Sequence, residues 1–133
     1  MFCREHVAQL REHQPAFRSK NASLAAISLG DARYARLFQQ ETGIDFPLLI
    51  DANSQTYKLA NLGKANLLHL LRSDNFESRN RAKASGHHQH KLGRDPFQLG
   101  GTFIFGPGNV DRFAHLSQTF GDNASPESLL AAL

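Results

Sequence analysis

Leu24-Ala25-Ala26-Ile27-Ser28-Leu29 and Phe46-Pro47-Leu48-Leu49-Ile50 are the two stretches whose reading decides the fold. The first is a short apolar run bounded by Lys20-Asn21 and Gly30-Asp31, and it reads as a strand buried on both faces. The second has Pro47 near its start, where a missing N–H is tolerated in a strand. Between them lies a helix. Asp31 is its N-cap, Tyr34, Leu37, Phe38 and Glu41 fall on one face, and Gly43 stops it. Strand, helix and strand at this spacing predict two parallel strands joined by a crossover helix.

Working outward, Phe2 to about Arg18 reads as a helix with Phe2, His6 or Val7, Leu10 and Phe17 on its apolar side. Arg4, Glu5, Gln9, Arg11 and Glu12 supply the polar faces, and Pro15 kinks the helix or starts a new turn. Downstream, Asp51 or Asn53 caps a brief helix through Tyr57 and Leu59 that Gly63 ends. Thr102-Phe103-Ile104-Phe105 and Val110 to Leu116 are joined by Gly106-Pro107-Gly108-Asn109, which predicts an antiparallel hairpin. Ser125 and Pro126 open a last helix docked by Leu129, Leu130 and Leu133.

Residues 64–98 break this rhythm. Leu67 to Leu71 form one apolar helix, Phe76 to about Ser85 a polar one, and Gly86 to Pro96 loop chemistry. The excursion holds seven Lys and Arg against three carboxylates, a net +4, which leaves the rest of the chain at −1. Its only aromatics are Phe76 and Phe97, so the interleaved stacking of a nucleic-acid surface is missing and a solvated lid is expected. His87, His88 and His90 suggest a metal cluster by type, but no carboxylate or thiolate accompanies them at ligand spacing, and no metal is expected.

The chain has 133 residues, 41% of them hydrophobic, and one cysteine. It reads as a single domain over residues 1–133, with 64–98 a basic insert within it. One cysteine excludes an intramolecular disulfide framework and a thiolate metal cluster. No apolar run reaches the roughly 18 residues of a membrane helix. Met1 to Leu10 carries Arg4, Glu5 and His6 and no apolar signal core. A soluble, cytoplasmic protein that binds neither membrane nor nucleic acid is the expectation.

Four stretches together carry a resemblance: Phe2-Cys3-Arg4-Glu5-His6, Phe46-Pro47-Leu48-Leu49-Ile50-Asp51, Gln98-Leu99-Gly100-Gly101-Thr102-Phe103 and Phe120-Gly121-Asp122-Asn123-Ala124. In this order and spacing the chain resembles the peroxiredoxin-like branch of the alkyl hydroperoxide reductase and thiol-specific antioxidant (AhpC/TSA) superfamily. The resemblance implies a thioredoxin-like fold: α/β, three layers α/β/α, with parallel strands and a C-terminal antiparallel hairpin in one mixed central sheet. Members of the branch usually open with one or two strands and a Cys-x-x-Cys at the mouth of the first long helix. Cys3 matches the second of those cysteines, and the first would fall before Met1. Either the strands were lost or the reading frame begins upstream. The unpaired edge that a missing central strand would leave beside Leu24–Leu29 favours the second.

Cys3 is the leading chemical candidate. A helix N-terminus stabilises thiolate, the reactive form, and Arg4 and His6 add nearby positive charge. The resemblance implies that Phe2, Arg4, Gly101 and Thr102 support the site, with Gly101 where the backbone lies against the active-site sulfur. It implies a thiol-dependent antioxidant oxidoreductase that reduces peroxides or disulfides, with Cys3 the resolving or sole redox thiol. An external thioredoxin- or glutathione-like thiol would be the reductant, no cofactor is expected, and a homodimer is allowed. The alternative is a non-catalytic thioredoxin-like binding or structural module, or an inactive fragment.

Overall fold

The structure is a computed structural model that describes residues 2–65, 84 and 95–133. Helix α1 spans Phe2–Glu12 and α2 spans Gln14–Ser19. Pro15 sits in the first turn of α2, where its missing N–H has no partner to lose, so of the two expected outcomes it starts a new helical turn. Strand β1 (Ala26–Ser28) and strand β2 (Leu48–Ile50) are parallel, with Ala26 opposite Leu48 and Ser28 opposite Ile50. Helix α3 (Ala32–Thr42) crosses between them. Asp31 caps it, its Oδ1 accepting the Tyr34 N–H at 2.8 Å, and Gly43 ends it in the left-handed region at φ 64°.

Two expectations about burial are corrected. The buried face of α3 is Ala35, Phe38 and Thr42, and Leu37 is exposed. Ala35 and Thr42 lie three before and four after Phe38, so they flank it, whereas Leu37 is turned about 100° away. Nor is β1 buried on both faces. Val7, Phe38, Ile44 and Phe46 form a cluster on which Leu24, Ala26, Tyr34 and Leu48 pack, so α1 and α3 cover one face of the pair. Ile27 and Leu49 lie opposite each other on the other face and remain 44% and 55% exposed.

Helix α4 (Gln55–Leu59) follows β2, and the chain then runs to the hairpin of β3 (Gly101–Gly106) and β4 (Val110–Leu116). The hairpin register shifts once, between Ile104 and Phe105. The base of the excursion is tied down. Lys64 bridges Gln98, the Ala65 N–H donates to Phe97 O at 2.7 Å, and Lys64 Nζ lies 2.6 Å from Asp95 Oδ2. The expected helices Leu67–Leu71 and Phe76–Ser85, apart from Ala84, and the His87–His90 loop lie outside the described residues.

Helix α5 (Pro126–Ala131) is capped by Ser125, whose Oγ accepts the Ser128 N–H at 3.2 Å. A second cluster of Phe17, Ala124 and Leu129 gathers Leu10, Leu24, Ile104, Phe113, Leu130 and Leu133 around it. It joins α1 and α2 to the hairpin and α5, and Leu24 packs against both clusters.

The chain is therefore mixed α/β, with a parallel pair and an antiparallel hairpin. The parts of the expected central sheet are present, but among the described residues they form two separate two-stranded sheets. No described helix is long and apolar enough to cross a membrane. Phe17 is 2% exposed at the centre of the second cluster, so Phe17→Ala removes an aromatic side chain from a site closed on several sides. A loss of about 3–5 kcal/mol is expected, read as a lower denaturant midpoint with an unchanged slope.

Candidate thiol site

Cys3 is the second residue of α1 and its side chain is exposed. This excludes the ordinary fate of a lone cysteine, a small apolar group in the core. Its helix is held in place by the residue beside it. Arg4 was expected on a polar face, yet it is 5% exposed, and Glu5 is buried as well. The Arg4 Nε–H donates to Glu41 Oε2 of α3 at 2.8 Å, and Nη2 meets the same oxygen at 2.7 Å as an ion pair without hydrogen-bond alignment. The guanidinium also lies 5.5 Å over the Phe38 ring. Two turns along α1, Arg11 Nη1 donates to Thr42 O at 2.6 Å and so supplies positive charge at the C-terminus of α3. The amphipathic reading misses Arg4 because a charge is compatible with a buried face when its countercharge comes from another helix.

A residue the sequence did not single out ties α4 to β1. Tyr57 of α4 donates its hydroxyl proton to Ile27 O at 2.9 Å. Its ionisation is pushed up to about 12, first by burial, then by the charge of Cys3, then by that of Asp51. Asp51, at the end of β2, accepts from Gln55 N at 3.0 Å, Thr56 N at 2.8 Å and the Thr56 hydroxyl. The Thr56 hydroxyl, helped by those amides, holds the carboxyl below its ordinary value. The residue at the N-cap is Ser54, whose side chain makes no capping bond, so Asp51 anchors the start of α4 from three positions upstream. The signal available in the sequence was the Asp51–Tyr57 spacing across one short helix, but nothing local shows that Tyr57 reaches back to β1.

Of the other expected supporting residues, Gly101 and Thr102 belong to the hairpin. Gly101 opens β3, where an added Cβ would stand 2.7 Å from Leu62 Cδ2 and 2.9 Å from His115 O. Its close approach is thus to Leu62 and the neighbouring strand. Thr102 pairs with His115 across the hairpin. Among the described residues, no hydrogen bond or ion pair joins Cys3 to Arg4, Gly101 or Thr102, and the Phe2 side chain is not among those described.

His6 links α1, and His115 links β4, to the segment before α5. His6 Nε2 lies 3.1 Å from Ala124 O, and His115 Nε2 lies 2.9 Å from Asp122 Oδ1. Asp122 Oδ2 in turn accepts the Gln118 N–H at 2.7 Å. Among the described residues no three His, Cys, Asp or Glu could together hold a metal ion.

A family model described as AhpC/TSA antioxidant enzyme matches residues 9–119. The chain belongs to the AhpC/TSA family. The match takes in β1, β2 and the hairpin and begins six positions after Cys3. No curated protein matches the chain.

Two predictions follow from these contacts. Glu41→Ala leaves the Arg4 charge buried without its countercharge and costs about 2 kcal/mol, while the pair Arg4→Met, Glu41→Leu recovers most of that loss by filling the interface. Chemical denaturation of the three variants measures both. Burial of His6 and, to a lesser degree, the charge of His115 lower its pKa from the ordinary 6.5, against the bond to Ala124 O. The unfolded chain therefore binds a proton that the folded one resists. The neutral-His6 contribution is fully present above about pH 6.5 and is lost as pH falls through the folded value. Thermal melts between pH 7.5 and 5 should show a decline that is smaller in His6→Gln, and equal slopes for the two proteins would contradict this account.

Proposed function

We propose that this chain is a peroxiredoxin-like, thiol-dependent antioxidant oxidoreductase of thioredoxin-like fold that reduces peroxides or disulfides through Cys3. The observation that carries the reading is an exposed thiol in the first turn of a helix, in a chain of the AhpC/TSA family. The order of elements, with a parallel β-α-β unit, a hairpin and a terminal helix, supports the fold. Unpaired N–H groups at the start of α1 favour negative charge on the sulfur. Thiolate attacks one peroxide oxygen, an S–O bond forms, the O–O bond breaks, and the departing hydroxide or alkoxide takes a proton from water. Cys3 becomes a sulfenic acid and the peroxide becomes water or an alcohol.

The 133 residues hold no second cysteine, so the sulfenic acid meets an external thiol. That thiol displaces water and forms a mixed disulfide, and a second thiol then releases Cys3–SH and carries away the disulfide. A thioredoxin- or glutathione-like donor fits both steps. In this scheme Cys3 is the sole redox thiol. Were it the resolving one, the attacking cysteine would come from elsewhere.

A second reading has its own observation. The family match begins at Gln9 and leaves Cys3 outside it, as a non-catalytic thioredoxin-like module would. One experiment separates the two. Hydrogen peroxide and a small thiol are supplied to the protein and to Cys3→Ser, and sulfenic acid is trapped with a dione reagent. The enzyme reading expects trapped adduct and peroxide consumption in the parent and neither in the variant. Equal peroxide loss in both, with no adduct, would falsify it and leave the module.

A further inference from the structure

We propose that His6 is an acid-sensitive latch: its neutral imidazole holds the C-terminal segment Asn123–Leu133 on α1, and a proton on that ring opens the segment about a hinge after Asp122 while the rest of the fold stays closed. The inference is independent of what Cys3 does.

The place of the hinge follows from how the chain is tied on either side of it. Before it, the turn from Gln118 to Asp122 is closed by its own groups. Asp122 Oδ2 accepts the Gln118 N–H at 2.7 Å, and the Asp122 N–H donates to Thr119 O at 3.3 Å. His115 holds this turn to β4 through Asp122 Oδ1 at 2.9 Å, a pair that gains when the imidazole is charged. After the hinge, α5 is closed from within, Ser125 capping it. Among the described residues, two polar contacts tie residues 123–133 to distant parts of the chain, and both come from imidazoles. His6 Nε2 meets Ala124 O at 3.1 Å, and His13 Nε2 lies 3.7 Å from Glu127 Oε1. The second pair is exposed and loose, so it contributes little.

The two ends of Asp122–Ala124 therefore answer acid in opposite ways. His115 faces a carboxylate, whereas His6 faces a carbonyl. That carbonyl can only accept, so Nε2 of His6 already carries its proton in the neutral ring, and a second proton goes to Nδ1, which has no hydrogen-bond partner among the described residues. The charged and titratable groups around His6 are Glu5 and, one turn before it, Cys3 on its own helix, and His115 from β4 with Asp122 behind it; from α5 the nearest charge is Glu127, which stands by His13. Glu5 favours the extra proton, but burial and the charge of His115 oppose it. Opening returns the ring to water. The apolar contacts of Ala124 and Leu129 with Phe17 remain as the opposing force, so acid raises the fraction of open molecules rather than expelling α5 outright.

Hydrogen exchange in the full chain tests this. The Leu129 and Ala132 amides, bonded to Ser125 O and Leu129 O, report the segment, and the Ala35 and Gly43 amides at the two ends of α3 report the body. Between pH 7.5 and 5.5, after correction for the chemical rate, protection of the first pair should fall about tenfold relative to the second, as a proton on one enclosed imidazole would give. An equal fall in both pairs means that His6 acts only through global stability, and it overturns the latch. His6→Gln keeps a donor for Ala124 O and cannot titrate, so the relative fall should vanish there and persist in His13→Gln. A relative fall that survives His6→Gln, or that is lost in His13→Gln, overturns the assignment. The comparison within the parent needs no substitution, so it decides even where a variant does not fold.

Discussion

A guanidinium cannot be taken out of water without a partner, and the Arg4 side chain places that constraint at the start of the molecule. Its partner is Glu41, on a helix reached only after β1 has been laid down, so α1 and α3 must meet on the same face of the strand pair. Phe38 under the guanidinium and Arg11 on the last carbonyls of α3 extend the same contact along both helices. Once α1 is fixed in this way, its rotation is fixed too. Arg4 faces α3, and Cys3, one residue earlier and so turned by about 100°, is left at the exposed margin.

This arrangement changes what Arg4 can do for the thiol. A cation beside a cysteine favours thiolate only with the part of its field that its own counterion does not cancel. Arg4 shares one carboxylate oxygen of Glu41 through two nitrogens. What remains for Cys3 is the helix terminus, which acts through amides in the first turn.

Much of the architecture was legible because it depends on local chemistry. Asp31, Gly43, Ser125 and Pro126 sit at the helix ends where their side chains or backbone preferences place them, and the hairpin follows its turn residues. What was not legible depends on distant partners. The sequence cannot show that Arg4 finds Glu41, 37 positions away, or that Tyr57 finds Ile27, 30 away. The two-faced burial of β1 failed for a related reason. An apolar run says that burial is tolerated on both sides, not that a second layer arrives. Among the described residues the layer on the Ile27 and Leu49 side is absent.

That one-sidedness bears on how the thiol site holds its shape. Strands β1 and β2 are three residues each, too short to be rigid through their own ladder. Their positions come from the cluster of Val7, Phe38, Ile44 and Phe46 on one side and from single polar contacts at the edge. Asp51 is the most connected of these, because it ties the end of β2 to the first amides of α4 and thereby aims Tyr57 at β1. Two anchors thus hold helices against the short strands. The buried Arg4–Glu41 pair sets the helix that carries the sulfur, and the Asp51 carboxylate sets the helix that carries the hydroxyl. Loosening either anchor would free a helix from a strand pair too short to hold its own shape.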